Sequence, residues 1–198
     1  MPYNPFHNRP DEWEMYDPLV GMTMLELGGK INAPQEARGY SEADKRQYTY
    51  KVFFEAMGIE HISLDWNGMH GSISRDLRKP LWDEFGQFDM VANFGTTEHV
   101  DGQAGVWENV HRMTKQGGVY VGLTPYPGGE SWYWHGEYFP TEGFFESFAE
   151  LNGWEIEKMH QGREIPHRNL YVRMRKISDG DFIMPDEDLI YFNRIRPR

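Results

Sequence analysis

Residues 88 to 100 of the chain read FDMVANFGTTEHV, a short apolar run followed at once by polar residues. The run FDMVA is interrupted only by Asp89, which is the pattern of a short strand buried on both faces of a sheet. Turn-forming residues follow, and then Glu98 and His99. In an open α/β sheet, ligands bind outside the carboxyl ends of the strands, so the segment predicts a site with titratable groups. A second interpretation stays open, in which Thr96 or Thr97 simply caps the next helix.

Strands and helices alternate along the rest of the chain. Apolar runs predict strands at Met22–Leu27, Ile59–Leu64, Val119–Leu123, Trp154–Met159 and Leu170–Met174, with a rudimentary edge strand at Gly71–Ser74. Apolar residues at helical spacing predict helices at Ser41–Met57 with Ser41 as N-cap, at Gly102–Lys115 ended by Gly117 and Gly118, and at Thr141–Asn152, with one helical turn at Pro80–Phe85. This order predicts an α/β fold, a mainly parallel sheet covered by helices and closed by an antiparallel hairpin.

The length of 198 residues fits a single domain that spans residues 1–198, and 39% of its residues are hydrophobic. Residues 1–20 predict an irregular N-terminal arm, which either packs its aromatic residues onto the domain or acts as a lid over a site. Those aromatic residues are Tyr3, Phe6, Trp13 and Tyr16. Residues 178–198 predict a C-terminal tail in which only Leu189–Phe192 packs.

Charge and composition exclude several functional classes. The net charge of −11 argues against a nucleic-acid partner, because phosphate binding needs clustered Lys and Arg. The absence of cysteine excludes disulfides and Cys-based metal sites. No apolar stretch is long enough to span a membrane, and the start of the chain lacks the apolar segment of a secretory signal. The histidines show no metal-ligand spacing, so we expect no metal site. The absence of cysteine fits a reducing cytosol, so we expect a cytoplasmic protein.

Two further positions suggest a ligand site. Gly28 and Gly29 follow the first predicted strand and allow both a tight turn and the close approach of a ligand. Asp65 follows the second predicted strand, where folds that bind dinucleotides hold ribose hydroxyls, because a carboxylate can accept from both.

Five motifs in this order resemble those of the class I S-adenosylmethionine-dependent methyltransferases, particularly the enzymes that act on small molecules. The motifs are LELGG at 25–29, Asp65, Asp76-Leu77, FDMVANFGTTEHV at 88–100 and NVHRMTKQGGVYVGLTP at 109–125. The resemblance covers about residues 20 to 175. It implies a Rossmann-like three-layer sandwich with a seven-stranded sheet and an antiparallel final strand pair.

The resemblance also implies a set of positions that bind S-adenosylmethionine. Glu26, Gly28 and Gly29 would lie by its methionine part, and Asp65 would accept from its ribose hydroxyls. The remaining implied contacts are Trp66, Asp76 and Leu77 at the adenine, and Asn93 and Phe94 along the cofactor from the fourth strand.

The sequence departs from the family pattern at two places. Lys30 and Asn32 replace the second and third glycines of the loop. Either Lys30 pairs with the cofactor carboxylate, or the pocket is partly filled and cofactor binding is weakened or lost. Asp65 and Asp76 are only eleven positions apart, which predicts a reduced sheet edge at the third strand.

His99 and His135 are the candidate catalytic bases. Methyl transfer to a hydroxyl needs proton removal, and the pKa of histidine lies near neutrality. A structural role as a cap or in packing stays open for both.

The motif at 88–100 lacks the Asn/Asp-Pro-Pro-aromatic sequence of amino-directed DNA methyltransferases, which favours a small-molecule or sugar acceptor. The alternative hypothesis is an inactive relative that binds a ligand or serves as a scaffold.

Overall fold

The computed structural model describes residues 15–16, 20–30, 41, 46–126, 136–162 and 169–193. Its strands are β1 (Thr23–Leu27), β2 (Glu60–Asp65), β3 (Ile73–Ser74), β4 (Phe88–Phe94), β5 (Thr114–Pro125), β6 (Tyr138–Pro140), β7 (Trp154–Gln161), β8 (Asn169–Lys176) and β9 (Ile190–Phe192). Its α-helices are α1 (Tyr50–Ala56), α2 (Trp82–Phe85), α3 (Gln103–Met113) and α4 (Glu142–Asn152). Within these residues, no helix is both long enough and apolar enough to cross a membrane.

Seven of the strands form one sheet in the order β3-β2-β1-β4-β5-β8-β7. The strands from β3 to β5 in this order run parallel. β8 is antiparallel to both β5 and β7, which confirms the predicted terminal hairpin. β3 has only two residues, so the reduced edge that the spacing of Asp65 and Asp76 predicts is also confirmed.

Apolar side chains cover both faces of this sheet, which confirms the three-layer architecture. On one face, Trp107 of α3 is fully buried and packs against Phe144, Phe145 and Phe148 of α4. On the other face, α1 contributes the buried Phe54. A sheet buried on both sides needs such apolar strands, and this is why β1, β4 and β5 read as short apolar runs.

The N-terminal arm contributes to the second face. Tyr16 is fully buried, and its ring stacks on that of Phe94 with centroids 5.0 Å apart. Arg173 of β8 donates from Nη1 to the carbonyl oxygens of Met15 and Tyr16, at 2.6 Å each. Tyr16 therefore packs onto the domain as the sequence predicts, whereas Tyr3, Phe6 and Trp13 lie outside the described residues.

The predicted helix at Ser41–Met57 is wrong at its start. Residues 42–45 lie outside the described residues, but Thr49 has an extended backbone, so α1 begins only at Tyr50. The N-cap is Thr49, whose hydroxyl accepts from the N–H of Val52 at 3.3 Å. Threonine, like serine, is a common N-cap residue, but only Ser41 is predicted as the N-cap from the sequence.

The predicted end of the second long helix is also wrong. α3 ends at Met113, and β5 begins at Thr114 rather than after Gly117 and Gly118. The Thr114 hydroxyl and the buried Lys176 amine bind carbonyl groups of the last helical turn. Because these tertiary partners satisfy the helix end, the glycines are not needed as a stop signal.

A separate two-stranded sheet joins β6 to β9 in antiparallel pairing. Ile190–Phe192 forms β9, and Ile190 is buried. The prediction that only Leu189–Phe192 packs is wrong, because Phe182 and Met184 of the same tail also pack against the core. The sequence does not predict β6. The strand is only three residues long and includes Pro140, so it gives no strand pattern in the sequence.

His111 of α3 is buried between the sheet hairpin and the segment after β8. Its Nδ1 accepts from the Trp154 indole at 3.1 Å, and its Nε2 donates to the Gly180 carbonyl at 2.9 Å. These partners fix a neutral ring with the proton on Nε2. Burial holds the pKa of His111 below its ordinary 6.5, and nearby Lys176 lowers it further, against the hydrogen bond to Gly180.

We predict that the protein loses stability as the pH falls below about 6.5, the pKa of an unfolded histidine. In that range the unfolded chain takes up a proton that folded His111 resists. Melting temperatures measured between pH 8 and pH 5 would show the loss. The variant His111→Gln should be less stable at pH 8 but lose less on acidification, and an identical pH dependence would contradict the assignment.

Candidate functional site

The carboxyl ends of three strands lie level with each other. Leu27 of β1 pairs with Leu64 of β2 on one side and with Asn93 of β4 on the other. A pocket of about 760 Å³ opens there. Its walls come from residues 65–67 after β2, 74–78 around β3, and 95–96 and 99–101 after β4. The pocket brings together five predicted site residues: Asp65, Trp66, Asp76, Leu77 and His99.

Asp65 ends β2 and faces the glycine loop. Its Oδ2 accepts from the N–H of Gly29 at 3.2 Å, and its Oδ1 accepts from the N–H of Asn67 at 3.2 Å. A carboxylate has about four acceptor positions, so each oxygen keeps one for a ligand. Trp66 follows with 79% of its surface exposed, which leaves a flat apolar ring beside this carboxylate.

Asp76 and Arg78 form an ion pair on the other side of the pocket. Asp76 accepts from the backbone N–H and Nε of Arg78 through Oδ1, and from Nη2 through Oδ2. The hydrogen bonds from this guanidinium hold the pKa of Asp76 below its ordinary value. Arg78 also donates to Asp101 at 2.9 Å and so links the loop after β3 to the loop before α3.

Glu26 is buried beneath the glycine loop rather than exposed in the pocket. Its Oε1 accepts from the N–H of Lys30 at 3.0 Å, and its Oε2 accepts from the Ser63 hydroxyl at 3.1 Å. The ring of His61, which is also buried, lies 3.2 Å from the same oxygen. Glu26 therefore shapes the loop from the side of the core.

The glycine loop touches the end of β4. Gly28 has φ +92°, and a side chain at this position would clash with the Thr96 hydroxyl, 2.0 Å from the ideal Cβ. The side chain of Lys30 also reaches the end of β4, where its Nζ donates to the Phe94 carbonyl at 3.2 Å. The replacement of a loop glycine by Lys30 thus adds a bridge between the ends of β1 and β4.

Asn93 and Phe94 are buried and are not among the residues that line the pocket. The Asn93 amide is fully buried, accepts from the N–H groups of Thr96 and Thr97 at 3.2 Å each, and donates to the Thr97 hydroxyl. Phe94 is buried against Tyr16 and Tyr50. Asn93 therefore folds the loop that forms one pocket wall, and Phe94 belongs to the core.

His99 faces the pocket at the end of a 3₁₀ turn over Thr97–His99. Its Nε2 lies 3.8 Å from Oε1 of Glu98, which is fully buried, and its own side chain is 38% exposed. A half-exposed imidazole beside a carboxylate is suited to accept a proton from a ligand in the pocket. His135, the other candidate base, lies outside the described residues, as does Asn32.

Sequence reasoning missed Arg75, Arg78 and Asp101 as pocket residues. Arg75 pairs with Glu84 of α2, Nε to Oε2 at 2.9 Å, and borders the pocket beside Asp76. The charged pattern RDLRK after the edge strand is the only sequence signal, and it is equally typical of a solvated loop.

No protein-family model and no curated protein sequence matches the chain. Solved structures do match its fold. An S-adenosylmethionine-dependent methyltransferase from Mesorhizobium loti is 16% identical with a TM-score of 0.60, and the match covers 84% of this chain and 96% of that one. The 1,6-didemethyltoxoflavin-N1-methyltransferase of Burkholderia thailandensis, with S-adenosylhomocysteine bound, is 12% identical with a TM-score of 0.56, over 86% and 78% of the two chains.

A third structure, a TehB-like methyltransferase from Corynebacterium glutamicum, is 15% identical with a TM-score of 0.50, over 80% of this chain and 82% of that one. The chain has the class I methyltransferase fold. At these identities the similarity establishes the architecture alone, and the roles of individual residues rest on the geometry above.

Within this methyltransferase fold, the predicted site residues divide into two groups. Asp65, Trp66, Asp76, Leu77 and His99 line the pocket. Glu26, Gly28, Gly29, Lys30, Asn93 and Phe94 form or support the adjoining loops. The first group could contact a ligand directly. In the second group, the buried Glu26 carboxylate and Asn93 amide shape the loops next to the pocket.

We predict that Asn93→Ala lowers the free energy of unfolding by about 1–3 kcal/mol, because the buried N–H of Thr97 and the partly buried N–H of Thr96 lose their acceptor. Chemical denaturation would measure the change. Asn67→Ala is the matched control, since Asn67 also binds a loop N–H, that of Met69, but at the surface. The control should cost less than about 0.5 kcal/mol, and equal losses in the two variants would contradict the role of Asn93.

Proposed function

We propose that the protein is an S-adenosylmethionine-dependent methyltransferase that acts on a small-molecule or sugar acceptor. The observation that carries the proposal is the pocket at the level ends of β1, β2 and β4, whose walls contain two of the predicted carboxylates. Asp65 stands at the end of β2, and Asp76 follows β3. A pocket at the carboxyl ends of parallel strands is the expected ligand site of such a sheet.

The described residues fit the nucleoside half of the cofactor. Asp65 keeps acceptor positions for two ribose hydroxyls, and Trp66 offers a flat ring for stacking on adenine. Asp76 keeps one acceptor position on Oδ2 for the adenine amine, with Leu77 beside it. The volume of about 760 Å³ lies within the range of small-molecule pockets.

Lys30 would serve the other half of the cofactor. Its amine lies at the end of β4, beside Gly95 of the pocket wall. A lysine there can pair with the cofactor carboxylate, since an ammonium is a strong donor to an anion. The bound S-adenosylhomocysteine in the Burkholderia thailandensis relative supports this class of cofactor.

His99 is the proposed general base. The cofactor supplies an activated methyl group, so this chain has only to hold the acceptor in line and remove its proton. Glu98 beside His99 stabilises the imidazolium that forms when the ring takes up this proton. His135 remains a candidate for the same role.

Charge and composition support a small acceptor and a cytoplasmic location. The net charge of −11 would repel a nucleic-acid backbone. The Burkholderia thailandensis relative acts on 1,6-didemethyltoxoflavin, which is a small molecule. The absence of cysteine fits a reducing compartment.

A second candidate function is a non-catalytic relative that keeps the fold as a binding protein or scaffold. Two contacts favour it. Lys30 binds the Phe94 carbonyl, and the Thr96 hydroxyl packs onto Gly28, so the loops that would enclose the methionine part already touch. If these contacts persist in solution, the site takes a nucleoside but not the amino-acid chain.

Calorimetric titration with S-adenosylhomocysteine, adenosine and methionine separates the two functions. We expect micromolar binding of S-adenosylhomocysteine that is tighter than that of adenosine. Asp65→Ala should weaken it by about 10- to 100-fold, the cost of lost hydrogen bonds to a carboxylate. Equal affinity for adenosine and S-adenosylhomocysteine would favour the non-catalytic relative, and an unchanged affinity in Asp65→Ala would refute the ribose contact.

We predict that His99→Ala lowers the turnover of the acceptor by about 100-fold, the usual contribution of a general base, while cofactor affinity stays within about twofold. Turnover and cofactor binding are measured on the same preparations. His160→Ala is the control, because His160 lies on β7 outside the residues that line the pocket. Equal turnover in wild type and His99→Ala would show that His99 is not the general base and has a structural role.

A further inference from the structure

The segment from Arg75 to Leu81 contains no regular secondary structure, and its residues 75–78 line the pocket. The backbone N–H groups of Arg75 and Lys79 donate to the carbonyls of Asp65 and Asp76. The charged pairs of the segment, Asp76 with Arg78 and Arg78 with Asp101, lie at the surface, where ion pairs contribute little to stability. The buried side chains of Leu77 and Leu81 hold the segment against the core, and one buried polar interaction fixes its backbone groups.

Asn109 of α3 supplies that interaction. Its side chain is buried beneath the segment, with only 1% of its surface exposed. Oδ1 accepts from the N–H of Leu81 at 3.0 Å, while Nδ2 donates to the carbonyls of Leu77 and Lys79 at 2.8 Å each. One amide thus uses both of its donors and its acceptor on three alternate residues of this segment, of which Leu77 lines the pocket.

Gly105 acts on the same segment from one helical turn earlier. Positions four residues apart share a helix face, so Gly105 and Asn109 face the segment together. The ideal Cβ of Gly105 lies 2.4 Å from the Arg78 carbonyl oxygen and 2.9 Å from its carbonyl carbon. Only a glycine lets the backbone at Arg78 approach the helix this closely.

We propose that Asn109 and Gly105 are positioning residues of the nucleoside site. The face of α3 that carries these two residues fixes the backbone of residues 77–81, and we call this face the template. Through this segment, the template sets the positions of Asp76 and Leu77 in the pocket. The part that concerns ligand affinity rests on the proposed function, because it takes S-adenosylhomocysteine as the ligand. The part that concerns the shape of the segment rests on the contacts of α3 alone.

The first test compares two buried asparagines. Asn152 of α4 is 4% exposed and binds backbone in the same way, donating to the Phe148 and Ile183 carbonyls and accepting from the N–H of Ile183. Its contacts lie away from the pocket wall. Asn109→Ala and Asn152→Ala should therefore lower the melting temperature alike, and only Asn109→Ala should affect the pocket.

We expect Asn109→Ala to weaken S-adenosylhomocysteine binding by about tenfold, the effect of one misplaced hydrogen bond to a charged group. Asn152→Ala should stay within about twofold of wild type. Calorimetry well below both melting temperatures measures the affinities. Equal weakening in the two variants would overturn the proposal, since the effect would then come from general destabilisation.

Hydrogen exchange followed by NMR tests the template without any ligand. The Leu81 amide should exchange faster in Asn109→Ala than in wild type, and its exchange rate should be unchanged in Asn152→Ala. Gly105→Ala is the second variant in case Asn109→Ala fails to fold, and its Cβ should displace Arg78 and speed exchange across residues 77–81. If wild type does not bind S-adenosylhomocysteine, the proposed function fails, but the exchange rates still decide the template. Unchanged exchange at 77–81 in the folded variants would overturn it.

Discussion

The pairing of Leu27 with Leu64 on one side and with Asn93 on the other is the constraint on which the candidate site depends. It brings the ends of β1, β2 and β4 to one level, so that three loops meet above them. The pairing is stable because both faces of the strands are buried, by α1 and the N-terminal arm on one side and by α3 and α4 on the other. A shift of one residue would exchange the side chains that pack against α1 with those that pack against α3 and α4, and the close packing of these two layers therefore fixes the register.

Buried polar side chains shape the loops above this platform. Glu26 binds the N–H of Lys30, Asn93 binds the N–H groups of Thr96 and Thr97, and Asn109 binds the segment 77–81. Each is almost completely buried and binds backbone groups of a loop above the strand ends. A buried polar group that is fully bonded holds a unique geometry, because breaking one bond leaves a costly unpaired partner. Of the pocket residues, His99 and Asp76 lie on or next to segments that are held in this way.

The contacts of Lys30 connect the two candidate functions. The lysine replaces a loop glycine and reaches the end of β4, where it binds the Phe94 carbonyl. The same amine can pair with a ligand carboxylate or hold the two loops together, and the geometry of the pocket is compatible with either. The choice depends on whether the energy of a charge-assisted hydrogen bond to a ligand exceeds that of the existing bond to a carbonyl. The function of the site thus turns on a local competition for one ammonium group.

Asp76 is expected as a site residue only from the resemblance to the methyltransferases. The mainly parallel sheet, the terminal hairpin, the rudimentary β3 and the placement of Asp65 and His99 after buried strands are all foreseeable from the sequence pattern. These features follow from local patterns, since apolar runs, turn residues and helical spacing act over a few positions and the connections of parallel strands have one hand. The end of α3 at Met113 and the burial of Glu26 and Phe94 depended on tertiary structure. Their partners are distant in the chain, namely Lys176 for α3, Ser63 for Glu26 and Tyr16 for Phe94, and no local pattern encodes them. The sequence alone determined the strands of the main sheet and where a candidate site lies, and the packing of distant segments decided which polar residues line the pocket and which hold the loops.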